Sequence, residues 1–177
     1  SEEEELEKRL RDSEREIEKW LRDLERVIEE VAREDKKIHE ELEKILEDVK
    51  RELDKLGIDD ELRKELEKKL RKIKEELEKL NEDTRRELER VRRDLERLAE
   101  ELKRRHDEIR KELERTGDSK VVEKLVEDLR RINEEAKRRL ERLKEELRKV
   151  LKDYKDEIDK LVEELKRTLD EVRKKAK

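Results

Sequence analysis

Residues 62–98 read LRKELEKKLRKIKEELEKLNEDTRRELERVRRDLERL, and this stretch decides the fold. Its apolar residues recur every 18 positions, as Leu62, Leu80 and Leu98 do. Eighteen residues make about five turns of an undistorted α-helix, whereas repeats of about seven or eleven residues impose left-handed or right-handed supercoils. The stretch therefore predicts a nearly straight helix with one apolar stripe along a single face.

The same 18-residue repeat runs through the segments before and after this stretch. Each segment carries five series of such positions, here called ladder positions, and most of them hold leucine, isoleucine or valine. A narrow stripe of this kind suits a helix that packs against two neighbours, so three such segments can bury one another's apolar faces. Two further series are Leu6, Leu24 and Leu42 in the first segment and Val122, Leu140 and Ile158 in the last.

The two glycines of the chain mark the predicted loops. Gly57 and Gly117 each suit the position just after a helix, where the left-handed backbone conformation costs glycine little. Asp59 after the first glycine, and Asp118 or Ser119 after the second, are candidates to cap the next helix. The sequence thus predicts helices over 2–56, 60–115 and 120–176, with loops at 57–59 and 116–119.

Loops this short make neighbouring helices antiparallel. We therefore expect an all-α protein, an elongated and nearly straight antiparallel three-helix bundle with helices of about 55 residues. Residues 1–177 are expected to form a single domain.

The composition agrees with long helices. Charged residues make up 64% of the 177-residue chain and apolar residues 29%, which alone would be typical of disorder. However, 54 basic and 59 acidic residues nearly cancel to a net charge of −5, and the apolar residues keep strict helical spacing. Leu, Glu, Lys and Arg at this spacing indicate helices that pack together.

Composition and charge pattern also argue against several classes of partner. The beginning of the chain lacks the apolar run of a signal peptide, and no stretch approaches the ~20 apolar residues of a membrane span. We expect a soluble protein, cytoplasmic on recombinant expression, that does not bind membranes. Arginine-rich stretches such as 85–93 are interleaved with acidic residues, so no basic face for nucleic acid builds up.

Five polar residues interrupt or flank the ladder near the middle of its length. Antiparallel packing brings Asp35 and His39 of the first predicted helix to the level of Asn81 and Thr84 of the second and Tyr154 of the third. An Asp–His pair can orient an imidazole for base catalysis, but the sequence offers no activated nucleophile beside it. We interpret the five as a buried hydrogen-bond network that fixes helix pairing, because buried polar groups must be satisfied.

A second polar cluster is expected nearer one end of the ladder. His106 occupies a ladder position, and its level matches Ser13 in the first predicted helix and Asn133 in the third. Serine with histidine is also the nucleophile–base pair of hydrolases, but an acidic third member and an oxyanion hole are missing. We interpret this cluster too as structural, and predict no catalytic residues.

No metal or cofactor site is expected. The chain has no cysteine, and its two histidines lie at levels too far apart along the helices to share a metal ion. One histidine with one or two carboxylates is a weak zinc site.

Taken together, the absence of proline, two glycines placed at loops, helices of uniform length and an 18-residue repeat resemble de novo designed helical bundles. The resemblance covers the whole chain and is greatest to parametric, untwisted three-helix bundles with buried hydrogen-bond networks. It implies a stable scaffold without enzymatic activity. Buried histidines in polar layers are also similar to those of designed bundles that respond to pH.

The function expected from the sequence is therefore that of a monomeric structural scaffold, with buried polar layers that specify register and pairing. Two alternatives remain open. In the first, residues that flank the stripes, such as Val27, Val126 and Val162, form an assembly interface, so that the chain self-associates. In the second, protonation of buried His39 and His106 makes the bundle responsive to pH.

Overall fold

The computed structural model describes residues 1–175 and places nearly all of them in three α-helices. These are α1 (Glu2–Lys55), α2 (Asp60–Arg115) and α3 (Ser119–Lys175), of 54, 56 and 57 residues. The described part of the chain contains no strand. The predicted all-α fold with three helices of about 55 residues is confirmed.

The helix bounds follow the predicted ones closely. Helix α2 has the predicted bounds, α1 ends one residue early, and α3 begins one residue early. Asp59 caps α2, because the Leu62 N–H donates to Asp59 Oδ1 at 2.8 Å. Of the two candidates before α3, Asp118 is the cap: its Oδ1 accepts from the Lys120 N–H at 3.1 Å. The predicted end of the third helix at 176 lies outside the described residues.

The two glycines differ from the prediction, since neither adopts the left-handed conformation. Helix α1 instead ends in a tightened turn, in which the Leu56 N–H lies 3.2 Å from the Glu52 carbonyl oxygen and 3.3 Å from that of Leu53. The next N–H, of Ile58, donates to the Leu56 carbonyl at 3.0 Å. These bonds satisfy carbonyl groups at the helix end without a residue of positive φ, so the expected left-handed cap is wrong.

The chain divides into two compact units, and each draws on all three helices. Unit 1 comprises Ser1–Glu29 and Glu89–Leu147, and unit 2 comprises Glu30–Leu88 and Arg148–Lys177. The single domain expected from the sequence stays a prediction.

In unit 1, ion pairs between helices show that neighbours run antiparallel. Glu101 of α2 pairs with Arg139 of α3 at 2.8 Å, whereas Arg105, one turn later in α2, pairs with Glu135, one turn earlier in α3. Near the end of α2, Arg110 pairs with Glu14 near the start of α1 at 2.6 Å.

Unit 2 has the same arrangement. Lys69 near the start of α2 pairs with Glu171 near the end of α3 at 3.5 Å, so these two helices are antiparallel. Helices α1 and α3 run parallel, because Glu34 pairs with Lys155 at 2.7 Å and Glu52 with Arg173 at 2.9 Å.

The ladder positions form the core of each unit. Most of them are buried, and the residues at the edges of the stripes, such as Trp20, Ile38 and Leu56, are half-buried. A fully buried leucine or isoleucine contributes about 1.5–3 kcal/mol, whereas an exposed ion pair contributes about 0–1 kcal/mol. Packing of the stripes therefore dominates the stability. One hydrophobic cluster in the core of unit 2 consists of Leu42, Val49, Leu53, Leu66, Leu70, Ile73, Leu77, Tyr154, Ile158, Leu161, Leu165 and Val172.

Within residues 1–175, no helix has a stretch apolar enough and long enough to cross a membrane. Ile45 is the one large hydrophobic residue among them that is exposed, at 41%.

Replacing Gly57 by alanine should leave the protein as stable or make it more stable. A Cβ at Gly57 would meet no atom within 4 Å, and its φ is not left-handed. Alanine also has less conformational freedom in the unfolded chain, so we expect a gain of about 0.4–1 kcal/mol in the free energy of unfolding. Guanidinium denaturation followed by circular dichroism measures it.

Gly117→Ala is the matched comparison, because its Cβ would collide with the carboxylate of Glu3, which must move aside. We expect a smaller gain there than at Gly57. A loss of about 1 kcal/mol or more in Gly57→Ala, about the cost of forcing alanine into a left-handed position, would contradict this account of the loop.

Candidate functional site

In unit 1, three polar side chains from three different helices meet in the core. The hydroxyl of Ser13 in α1 donates to Asn133 Oδ1 in α3 at 2.6 Å, and its Oγ lies 2.9 Å from His106 Nε2 in α2. Ser13 is 3% exposed and His106 is 2% exposed, while Asn133 is half-buried. The structure thus brings together all three residues of the second predicted cluster.

The other ring nitrogen of His106 is also bonded. Its Nδ1 lies 2.6 Å from the carbonyl oxygen of Leu102, one turn earlier in α2. Because a carbonyl oxygen only accepts, Nδ1 must carry a hydrogen. Sequence reasoning missed this partner, since a main-chain group leaves no trace in the residue pattern.

Residues close in sequence to Ser13, His106 and Asn133 form ion pairs between helices. Glu135 beside Asn133 accepts from Arg105 at 2.8 Å, and this hydrogen bond lowers the pKa of Glu135 below its ordinary value. Glu14 beside Ser13 pairs with Arg110, and the hydrogen bond from Arg110 to Glu14 raises the pKa of Arg110. Charged residues next to ladder positions were the available signal for pairs between helices.

The geometry around Ser13 lacks two parts of a hydrolytic site. The group that orients His106 is the Leu102 carbonyl, where serine hydrolases have a carboxylate. A groove of about 550 Å³ lies between α2 and α3, but it is lined by residues such as Arg105, Ile109 and Asp128 and not by Ser13 or His106. The arrangement can hold three helices in register, and this groove does not reach the Ser13 hydroxyl.

In unit 2, Asp35 and Tyr154 are buried beside each other. Asp35 is 7% exposed, and its Oδ1 has no hydrogen-bond partner among residues 1–175. The Tyr154 hydroxyl donates to the main-chain carbonyl of Asp35 across 3.4 Å, which is long for such a bond. Burial raises the pKa of the Asp35 carboxyl above its ordinary value, and nearby His39, Tyr154 and Arg85 only partly oppose this. Burial, together with the charge of Asp35, also raises the pKa of Tyr154.

His39 is not part of the buried hydrogen-bond network in which it was predicted to lie. Its side chain is 17% exposed, and Nε2 bonds Glu43 Oε1 of the same helix at 3.1 Å. Its buried Nδ1 has no partner. His39 stands at the edge of the α1 stripe, so a carboxylate one turn further along the helix is within reach and satisfies half of the ring.

The other two residues of that predicted cluster are not joined to it. Thr84 is buried and Asn81 is half-buried, but among the described residues no hydrogen bond links either one to Asp35, His39 or Tyr154. The predicted five-residue network is therefore reduced to a weak Tyr154–Asp35 contact and a separate His39–Glu43 pair. The five residues were predicted to meet because they share a level along the helix axis, but level does not set the direction of a side chain.

One buried polar residue was not among the predicted site residues. Thr168 in unit 2 occupies a ladder position, and its hydroxyl donates to the Glu164 carbonyl of its own helix at 2.9 Å. Such a bond back to the preceding turn needs no partner from another helix. Over the described part of the chain, no group of three or more histidine or acidic residues could hold a metal ion.

Replacing Asp35 by asparagine should stabilise the protein at neutral pH. Because burial raises the pKa of Asp35, the folded state binds its proton more tightly than the unfolded state does. The resulting stabilisation is complete below the unfolded pKa of about 3.9 and is lost as pH rises through the folded value. The asparagine side chain carries no charge, so Asp35→Asn should raise the guanidinium midpoint at pH 7 and have a much smaller effect at pH 3.

Glu41→Gln is the control, since it removes the same charge from an exposed position of α1. It should change the midpoint at pH 7 less than Asp35→Asn does. A lower midpoint for Asp35→Asn at pH 7 would mean that the ionised carboxylate is satisfied in the folded protein, contrary to the geometry described above.

No protein-family model, no curated protein and no solved structure matches this chain.

Proposed function

We propose that this chain is a structural three-helix scaffold, without a catalytic role, whose buried polar groups specify which parts of the helices pair. The observation that carries the proposal is the contact of Ser13, His106 and Asn133, one residue from each helix, in the core of unit 1. No cofactor, metal ion or nucleic acid enters this proposal.

The apolar ladder alone discriminates poorly between registers. Leucine, isoleucine and valine recur at every turn, so a helix shifted by one turn still places apolar residues against apolar residues. A shift of α2 by one turn would instead bring Leu102 or Ile109 near the place of His106, leaving Ser13 without its imidazole partner. An unsatisfied buried polar group costs about 1–3 kcal/mol, which penalises the shifted pairing.

Two finer features of the proposal are untwisted helices and a designed origin. An 18-residue period matches the undistorted helix, so untwisted helices keep each stripe in place without supercoiling. A designed origin accounts for the uniform helices, for the lack of proline and for glycine confined to the two loops.

A monomer is the simplest state for this scaffold. Val27, Val126 and Val162, the residues considered for an assembly interface, are all half-buried, and Val162 packs against the core of unit 2. The part of this apolar surface that is covered within the chain is not available to a second copy.

Removing one residue of the Ser13–His106–Asn133 network should lower the free energy of unfolding more than replacing all three by apolar residues. Ser13→Ala deprives buried His106 of its Nε2 partner, so we expect a loss of about 1–3 kcal/mol in the free energy of unfolding. The triple variant Ser13→Ala, His106→Leu, Asn133→Leu removes all three polar groups and should lie close to the wild type or above it. Guanidinium denaturation of the three proteins at pH 7.5 measures the difference.

The register itself needs a second readout, because the apolar variant is expected to remain stable. The chain has no cysteine, so spin labels on cysteines replacing exposed Glu7 and Lys111 report the α1–α2 register of unit 1 without background. We expect one narrow distance distribution in the wild type and a broader or multiple one in the triple variant. An equally narrow distribution in both would refute the role in register.

Sedimentation equilibrium should give the mass of one chain across a hundredfold range of concentration. If the mass increases with concentration, Ile45→Lys tests whether the exposed isoleucine is responsible. A mass of two or more chains in both proteins would overturn the monomer and favour the assembly alternative.

A further inference from the structure

The hydroxyl of Ser13 carries one hydrogen, yet two acceptors in unit 1 compete for it. Ser13 Oγ donates to Asn133 Oδ1 at 2.6 Å and also lies 2.9 Å from His106 Nε2. The hydrogen on the imidazole of a neutral His106 is already committed, because Nδ1 lies 2.6 Å from the Leu102 carbonyl oxygen. The Nε2 of a neutral ring is then bare and can only accept.

When His106 is charged, every group of this network is paired in the arrangement that the structure has. Nδ1–H donates to the Leu102 carbonyl, Nε2–H donates to Ser13 Oγ, and the Ser13 hydrogen goes to Asn133 Oδ1. Each hydrogen has one acceptor, and no two acceptors face each other.

When His106 is neutral, the same positions can be satisfied only if the amide of Asn133 turns over. Ser13 then donates to Nε2, and its oxygen needs a donor from Asn133. A turn of about 180° around the last side-chain bond exchanges Oδ1 for Nδ2 and supplies that donor, with almost no change in shape.

We infer that proton uptake at His106 Nε2 is coupled to the turn of the Asn133 amide, so that unit 1 keeps its three-helix contact in both charge states. The proton comes from solvent, and the Ser13 hydroxyl changes from donor to acceptor toward the imidazole. No bond between heavy atoms forms or breaks.

Three acidic and two basic side chains close to the network in sequence carry a net charge of −1, which does not oppose a charged imidazole. Charged residues adjoin the network on all three helices, and the arginines among them pair with acidic neighbours. They are Glu14 on α1, Arg105, Asp107 and Arg110 on α2, and Glu135 on α3.

On protonation, His106 should therefore not destabilise the protein in the way expected of a buried histidine without partners. A neutral imidazole with no partner for a second hydrogen would destabilise the protein on protonation, whereas His106 has an acceptor in front of each ring nitrogen. The coupling does not depend on the proposed function, because it follows from three distances and a count of hydrogens.

Nuclear magnetic resonance of the full, ¹⁵N-labelled chain between pH 8 and pH 5 tests the coupling. At high pH we expect neutral His106 to carry its hydrogen on Nδ1. In the charged form of His106, both ring nitrogens carry a hydrogen, which their ¹⁵N signals report. The side-chain amide signals of Asn133 should shift in step with them, while the backbone signals of unit 1 keep their dispersion.

His39 is the internal control in the same spectra. Its Nε2 faces the Glu43 carboxylate at 3.1 Å, which only accepts when ionised, so neutral His39 should carry its hydrogen on Nε2. The two histidines are thus expected as opposite tautomers. Neutral His106 with its hydrogen on Nε2 would overturn the inference, as would Asn133 signals that stay unchanged while His106 titrates.

Substitutions of Asn133 test the coupling from the other side. A carboxylate only accepts, so Asn133→Asp should increase the ratio of charged to neutral His106 at a given pH, whereas Asn133→Ala should decrease it. One hydrogen bond in a buried site corresponds to about a tenfold change in this ratio. Lys137→Gln, at an exposed site one turn along α3, makes the same change in net charge as Asn133→Asp without the hydrogen bond.

We expect Lys137→Gln to change the ratio much less than Asn133→Asp does. Equal effects of the two would contradict the hydrogen-bond mechanism, as would an increase in Asn133→Ala. If an Asn133 variant fails to fold, the tautomer of His106 in the wild type still decides the question.

Discussion

Every other contact in this protein depends on apolar side chains that stay on one face of each helix from its first turn to its last. A helix of more than 50 residues with 64% charged composition across the chain has little reason to pack unless its few apolar residues coincide on one side. The 18-residue period meets that condition, and burial of the ladder positions follows from it. Caps, ion pairs and polar clusters act on helices that the stripes have brought together.

The secondary structure was predictable from residues alone, because the signals for it are local and agree with one another. The ladder predicts the helices, Asp59 predicts where α2 begins, and the two cap candidates Asp118 and Ser119 predict the start of α3 to within one residue. The backbone of the loops was not predictable from glycine. Glycine permits the left-handed conformation but does not require it, and hydrogen bonds of Leu56 and Ile58 satisfy the end of α1 by another route.

The two polar clusters show where sequence reasoning about a site stops. Ser13 and His106 occupy buried ladder positions, and Asn133 flanks the stripe of α3 at the same level, so level along the helices predicted their contact. Asp35, His39, Asn81, Thr84 and Tyr154 share a level too, but the stripe edge gives His39 a partner on its own helix. Whether a side chain turns inward or outward depends on neighbours within a few ångströms, and residue spacing does not carry that information. As a result, Asp35 keeps a carboxylate oxygen in the core of unit 2 that has no hydrogen-bond partner among the described residues.

The connection between α1 and α2 also matters for what can be attached to this chain. Around Gly57 the backbone is in an ordinary conformation with open space where a side chain would begin, and its turn is made by main-chain bonds among adjacent residues. Loop tips of this kind accept inserted sequence far better than helix interiors do. A peptide epitope or a short recognition motif grafted at Gly57 would be displayed to solvent, since this residue is exposed.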